Sequence, residues 1–338
     1  MHSITSHGNS DMKSVNYKNG KFVNSVPVKK FTVKEHIVIG WIFLFGSKEG
    51  RVPKQTLPVV KPEPFQEPPY AAIKYNWLGH SSILLELEGK RILLDPVFSE
   101  RISFTQFFGP KRFHPTPLTL EELPHIDMVL ISHNHYDHLD KKTVDHLKNS
   151  DVHFFVPLGN KSLLLKWGVK SGKVSELDWW DETELDGLTV VSTPARHFSN
   201  RGAFDVDKTL WTSWAILGKN QRVYFSGDTG ITPQFSEIGE KYGPFDLTFI
   251  KMGAYGEMWP DVHLNPEEAV QAHIMLKGSQ LVPIHWGTFD VAFHSWQEPI
   301  ERMIAAAEKN NVSLVTSEIG ETVIPTDHQN SYWWRGLQ

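Results

Sequence analysis

Ser132-His133-Asn134-His135-Tyr136-Asp137-His138 places four potential metal ligands within six residues, straight after the apolar run Met128–Ser132. In extended or turning backbone alternate residues share a face, so His133 and His135 can point the same way. Asp137 and His138 follow as the chain turns toward a short helical pattern at Lys141–Lys148. The plain alternative is a set of solvated loop histidines, which suits the scattered His2, His7 and His36. It suits a lone His far better than the spacing H-x-H-x-D-H.

Three further segments repeat one design, an apolar strand that ends in a ligand-type residue. Leu188–Thr193 leads to Pro194-Ala195-Arg196-His197, Arg222–Ser226 to Gly227-Asp228-Thr229-Gly230, and Leu281–Ile284 to His285-Trp286-Gly287-Thr288. A strand end fixes the backbone while the loop beyond it leaves room for a ligand. Each segment alone also reads as a rim histidine or a simple turn. Together they point to one site.

Around these segments the pattern is α/β. Strands are expected at Ser81–Glu88 and Arg91–Leu94, joined by a II′ turn at Gly89-Lys90. Further strands are His153–Val156, Leu210–Leu217 and Leu247–Ile250. Asn265-Pro266-Glu267-Glu268 carries a helix start, and Gln297–Asn310 and Lys161–Trp167 read as further helices. With no strict βαβ alternation, this mixture predicts sheets covered by helices on their outer faces.

The 338 residues divide into an arm, 1–70, and one continuous domain, 71–338. Residues 1–30 are polar and expected to be loosely ordered. Six prolines between Arg51 and Tyr70 predict an extended Pro-rich arm. Between these lies Ile37–Phe45, IVIGWIFLF, preceded by Lys29, Lys30 and Lys34. Nine helical residues rise about 14 Å, short of the ~30 Å hydrocarbon core. Two readings stand: an arm packed on the domain, which would bury Trp41, Phe43 and Phe45, or a peripheral membrane contact through residues 29–45. Residues 1–60 carry a net charge of +6, nine basic against three acidic, within a chain of net −5. No global basic field favours nucleic acid. The absence of cysteine excludes disulfides, thiolate nucleophiles and Cys-bound metals, so any metal is held by the 17 His, by carboxylates or by backbone oxygen.

The ligand motifs together resemble the metallo-β-lactamase superfamily. Trp77-Leu78-Gly79-His80-Ser81-Ser82, Leu94-Asp95-Pro96-Val97-Phe98, Phe108-Gly109-Pro110-Lys111-Arg112-Phe113, His263-Leu264-Asn265-Pro266-Glu267-Glu268-Ala269 and Ile284-His285-Trp286-Gly287-Thr288-Phe289 are similar to the branch containing N-acylphosphatidylethanolamine-hydrolysing phospholipase D. The resemblance implies an αββα sandwich with a two-metal site along one edge. It implies that His133, His135 and His197 hold one metal, that Asp137, His138 and His285 hold the other, and that Asp228 bridges them. Nitrogen and oxygen ligands without thiolate suit two zinc ions, with Fe or Mn as alternatives. Asp137, Asp228 and His263 are expected to serve catalysis. His294 is a weaker candidate, and Lys111 and Arg112 could meet a phosphate. Phe104, Phe107, Phe108, Trp259 and Trp286 could line an acyl groove, though most are expected in the core. The implied activity is that of a metal-dependent hydrolase, a phosphodiesterase of phospholipase D type acting through a metal-bridging hydroxide on N-acylphosphatidylethanolamine-like or related phosphodiesters. A lactonase-like hydrolase and a catalytically idle metal-binding scaffold are the alternatives. The expected partner is a phosphodiester or lipid-like substrate, the expected location cytoplasmic or peripheral at a membrane. Oligomeric state is not readable from the sequence.

Overall fold

The computed structural model describes residues 14–29 and 32–337. The first part of the polar tail, 1–13, and Lys30 of the basic segment lie outside the described residues, as do positions 31 and 338. Within the stretch expected to be loosely ordered, Tyr17–Lys18 (β1) and Lys21–Phe22 (β2) form a hairpin instead. Its anchor is Phe22, buried against Trp179, Leu210 and Trp211 far along the chain. Local composition cannot announce a contact of that range.

The apolar run lies within a 13-residue helix, Val33–Phe45 (α1), started by a capping box between Thr32 and Glu35. Its length is about 20 Å, and among the described residues no helix is long and apolar enough to cross a membrane. The packed-arm reading holds for only one of its three aromatic residues. Phe43 packs on Phe293 at 4.7 Å, with the Arg51 guanidinium over both rings. Trp41 and Phe45 meet with tilted rings at 4.4 Å but are 64% and 67% exposed.

The Pro-rich stretch then crosses the surface without regular structure, tied down by Leu57 N–H to Phe113 O, Val60 N–H to Ile319 O and Tyr70 N–H to the Glu86 carboxylate. The first large sheet takes β3 (Lys74–Trp77), β4 (Ile83–Leu87), β5 (Lys90–Leu94), β6 (Met128–Leu130), β7 (His153–Pro157) and β8 (Val174–Leu177) in sequence order. Helices α2 (Lys141–Leu147) and α3 (Lys161–Lys166) cover its outer face. The second sheet takes β9 (Glu182–Leu185), β10 (Leu188–Thr193), β11 (Ser213–Leu217), β12 (Arg222–Phe225), β13 (Phe245–Lys251), β14 (Gly278–Ile284) and β15 (Ser313–Leu314). Its helices are α4 (Gln234–Lys241), α5 (Pro266–Met275) and α6 (Glu298–Lys309). The final strand, β16 (Thr322–Val323), returns to pair with β3.

The result is an αββα sandwich. Between the sheets, Tyr75 sets its edge on Phe249 at 5.1 Å, and Trp214 Nε1 donates to Ile131 O. The opposite face of the first sheet packs Leu84, Leu93, Val129 and Phe154 beneath Val144, Leu147 and Leu164. Every residue of β4 is therefore buried, which explains an apolar run with no alternation. α5 starts as the sequence implies, with Pro266 at its first position and a capping box between Asn265 and Glu268.

The β4–β5 turn departs from expectation. Its central residues are Glu88 and Gly89, with φ of 48° and 80°, the signature of a type I′ turn one residue earlier than expected. The Glu88 carboxylate then accepts N–H bonds from Lys219, Asn220 and Gln221, clasping the β11–β12 turn of the other sheet. At the opposite edge of the sandwich, β6, β10, β12 and β14 all deliver their C-terminal ends to one place.

Candidate metal centre

Four strand ends and one turn supply the ligand-type residues. Ile131 N–H bonds to Phe155 O, extending β6 before the chain bends into His133–His138. β10 runs on to His197, β12 to Asp228 and β14 to His285. The glycines around Asp228 are dictated by space. A Cβ on Gly227, which has φ +52°, would lie 2.5 Å from the Ser132 Cβ, and one on Gly230 would lie 1.9 Å from Asp261 O. Thr229 ties this turn to its neighbours, accepting from Arg196 N–H through Oγ1 and from Leu264 N–H through its carbonyl. The Gly-Asp-Thr-Gly motif is thus a fitted joint between segments. His80, Asp95 and His285 all have positive φ, 53°, 39° and 68°, a conformation costing on the order of 1 kcal/mol or more each, and His285 N–H is held by His80 O.

All seven expected ligands converge. His135 Nδ1 lies 2.8 Å from His133 Nε2 and 3.3 Å from His197 Nε2. Asp137 Oδ2 lies 3.4 Å from His138 Nε2 and 3.6 Å from His285 Nε2. Asp228 stands between the two sets: Oδ1 is 3.1 Å from His285 Nε2, while Oδ2 is 3.5 Å from His138 Nε2 and 3.8 Å from His197 Nε2.

The outward nitrogens are held by partners that fix each ring. His138 Nδ1 donates to Asp95 Oδ2 at 2.6 Å, His197 Nδ1 to Val262 O at 3.0 Å and His133 Nδ1 to Ser132 Oγ at 2.9 Å. The His133 and His197 rings then turn an unprotonated Nε2 inward, as a metal-ligating imidazole requires. Burial pushes the imidazoles of His133, His135 and His197 down, His135 to about 4, so they are neutral at physiological pH. Burial also opposes charge on His138, but Asp228, Asp137 and Asp95 outweigh it and hold that ring well above its usual range. Burial pushes Asp137 and Asp228 up, yet His138 beside the first, and His285 and His138 beside the second, keep both carboxyls well below theirs.

Such a donor set suits a cation. His138 Nε2, His285 Nε2 and Asp228 Oδ1 are buried with no hydrogen-bond partner, and buried polar atoms are seldom left so. Two metal ions held by nitrogen and oxygen fit this donor set. The groupings able to hold a metal are His133 with His135 and His197, and His80, Asp137, His138 and His285, with Asp228 completing others.

Other sequence candidates divide. His263 reaches the centre, with Nδ1 3.7 Å from Asp228 Oδ2. His294 does not: its nitrogens hold Ala254 N–H and Ser295 O, and its ring stacks on Tyr255. Arg112 is buried and donates to Val97 O and Leu78 O, and Lys111 pairs with Glu100, so neither faces the centre. Trp286 is core, stacked on Trp77. Phe104, Phe107 and Phe108 are not: they are strongly exposed, against the expectation of a core role. Trp259, His263 and Phe293 line a cavity of about 590 Å³ that opens beside the centre.

Four participants were not foreseen. His80 donates to Asp137 Oδ2 at 2.9 Å, and Asp95 holds both His138 and the Ser132 hydroxyl and N–H. The Asn24 side chain brackets the His197 peptide, accepting its N–H at 3.0 Å and donating to its carbonyl at 2.7 Å. Lys251 ends β13 fully buried beside His263. His80 and Asp95 lie inside motifs already singled out, while Asn24 and Lys251 carry no local signal at all.

With that geometry in view, the chain compares as follows with known proteins. The sequence profile of the Beta-lactamase superfamily domain matches residues 90–286. An uncharacterized protein of Mycobacterium tuberculosis is 45% identical over 330 residues, 96% of this chain and 88% of the relative. The N-acyl-phosphatidylethanolamine-hydrolyzing phospholipase D 1 of Caenorhabditis elegans is 40% identical over 263 residues, 73% of this chain and 74% of the relative. Among solved structures, a metallo hydrolase of the archaeon Ignicoccus hospitalis superposes with a TM-score of 0.57 at 26% identity, covering 74% of this chain and 97% of the other.

Proposed function

The chain belongs to the beta-lactamase superfamily as a metal-dependent hydrolase, and from that premise we propose that it cleaves phosphodiesters in the manner of a phospholipase D, on N-acylphosphatidylethanolamine-like or related lipids. The observation that carries this reading is Asp228, a carboxylate with both oxygens among the imidazoles of two ligand sets. The similarity to the nematode phospholipase D supports the substrate class.

In this reading His133, His135 and His197 would hold one zinc ion, Asp137, His138 and His285 the other, and Asp228 would serve both. Such a pair would supply Lewis acidity toward phosphoryl oxygens and lower the pKa of a bound water. The protein does the rest. Asp95, Ser132 and the Val262 carbonyl keep the rings in register, and His80 keeps Asp137 turned inward. His263 meets the substrate from the cavity side, where Trp259 and Phe293 exclude water from the reacting group. The exposed Phe104, Phe107 and Phe108, with Ile37, Trp41 and Phe45 of α1, offer apolar surface to acyl chains and to the face of a membrane. The protein is then a cytoplasmic one that works at a membrane surface.

The test couples elemental analysis to turnover. Purified protein should hold about two zinc ions per chain and should hydrolyse N-acylphosphatidylethanolamine in mixed micelles faster than a simple lactone, with both rates lost to a chelator. A single bound metal, or a lactone preferred over every phosphodiester offered, would overturn the reading.

A further inference from the structure

Lysine is almost never fully buried without a partner, yet Lys251 is 0% exposed at the end of β13. Its ammonium donates to His263 Nδ1, the ring nitrogen that looks toward Asp228. An ammonium has no lone pair, so in this contact Lys251 donates and the ring nitrogen accepts. Two consequences follow for His263. Its Nδ1 lone pair is taken, so this nitrogen cannot ligate a metal, although His197, Asp228 and His263 are close enough to form a further grouping. A neutral imidazole carries one proton, and with Nδ1 accepting, that proton sits on Nε2.

We propose that Lys251 is a positioning residue: it fixes His263 as the Nε2–H tautomer, so that His263 meets the substrate as a hydrogen-bond donor instead of joining the metals as an eighth ligand. The role of His263 toward substrate rests on the function proposed above. The tautomer and the metal count do not, and the experiment keeps the two apart.

Zinc-loaded full-length protein labelled with ¹⁵N-histidine is compared with His263→Gln to assign the ring, then with Lys251→Met, an apolar side chain of similar length. The wild-type spectrum should show His263 protonated at Nε2 only. A proton on Nδ1, or a zinc-bound His263, overturns the proposal whether or not any variant folds. In Lys251→Met the His263 pattern should change, and kcat for bis(p-nitrophenyl) phosphate should fall about 10- to 100-fold at nearly constant KM. The same substitution placed in His263→Gln should cost almost nothing further, because Lys251 acts through that ring. Losses that multiply in the double variant, or a Lys251→Met enzyme of wild-type rate, overturn the proposal. Should Lys251→Met not fold, Lys251→Gln, whose amide can still donate to Nδ1, should fold and keep most of the rate; a loss of rate as large as that of His263→Gln counts against it. If wild type cleaves no phosphodiester, the proposed function fails while the spectra still judge Lys251.

Discussion

Asp228 is the residue on which both ligand sets depend, so its chemistry is the most exposed to substitution. Asp228→Asn keeps the shape but removes the negative charge that His285, His138 and Lys251 stabilise. Turnover should fall by several orders of magnitude with circular dichroism unchanged, and a variant keeping most of its phosphodiesterase rate and both metals would remove Asp228 from the bridging role. At this scale the sequence was informative where ligands cluster within a few positions. H-x-H-x-D-H and the strand ends needed no structure to be noticed. The residues that orient the ligands were not legible. Asp95 lies 43 positions from His138, and Asn24 lies 173 from His197, so only the folded chain puts them side by side.

Elements were legible where burial follows one face and obscure where the reason for order is distant. α5 announced itself by its capping residues, whereas β1 and β2 exist because Phe22 finds a pocket far along the chain. The segment after that hairpin is part of the metal centre's support: Asn24 brackets His197, Pro27 O accepts from Arg196, and Lys29 N–H bonds to Asp261. Asn24→Ala should therefore weaken zinc binding by about tenfold, measured by chelator competition, and a chain beginning at Val52 should do at least as badly. Unchanged affinity in both would mean that the strap merely covers the surface. For α1 the split between packed and exposed faces leads to a different measurement. Sedimentation with anionic vesicles should be clear at low salt and reduced, but not abolished, at 1 M, where the Debye length is ~3 Å and only apolar contact survives. Binding that vanishes entirely with salt would mean that Trp41 and Phe45 never reach the lipid.

Across the whole molecule, apolar strands mixed with helices foretold sheets covered by helices, the family resemblance implied the αββα order, and the strands β4 to β7 and β10 to β14 were legible. The strands β3, β8, β9, β15 and β16 and the helix α4 were missed, β9 because it is short, polar and half exposed, α4 because Gly239 breaks a helical pattern only eight residues long. Packing also sets the response of the whole fold to acid. His273 is buried on α5 beside Thr248, and burial pushes its imidazole down to about 4. The unfolded chain takes up that proton near pH 6.5, so stability is full above this value and declines as pH falls toward 4, by up to about 3 kcal/mol from this one group. His273→Gln should flatten the dependence of the urea midpoint between pH 7 and pH 5, and an identical slope in both proteins would assign the acid sensitivity elsewhere. A last consequence comes from Glu88, which ties a turn of one sheet to a turn of the other. The sandwich resembles a book with its spine at that clasp and its fore-edge at the ligands. Stripping the metals should let the pages part from the fore-edge inward, so amides near His133 and Asp228 should exchange early while those of Lys219 to Gln221 stay protected. Replacing Glu88 would unbind the volume from the other side.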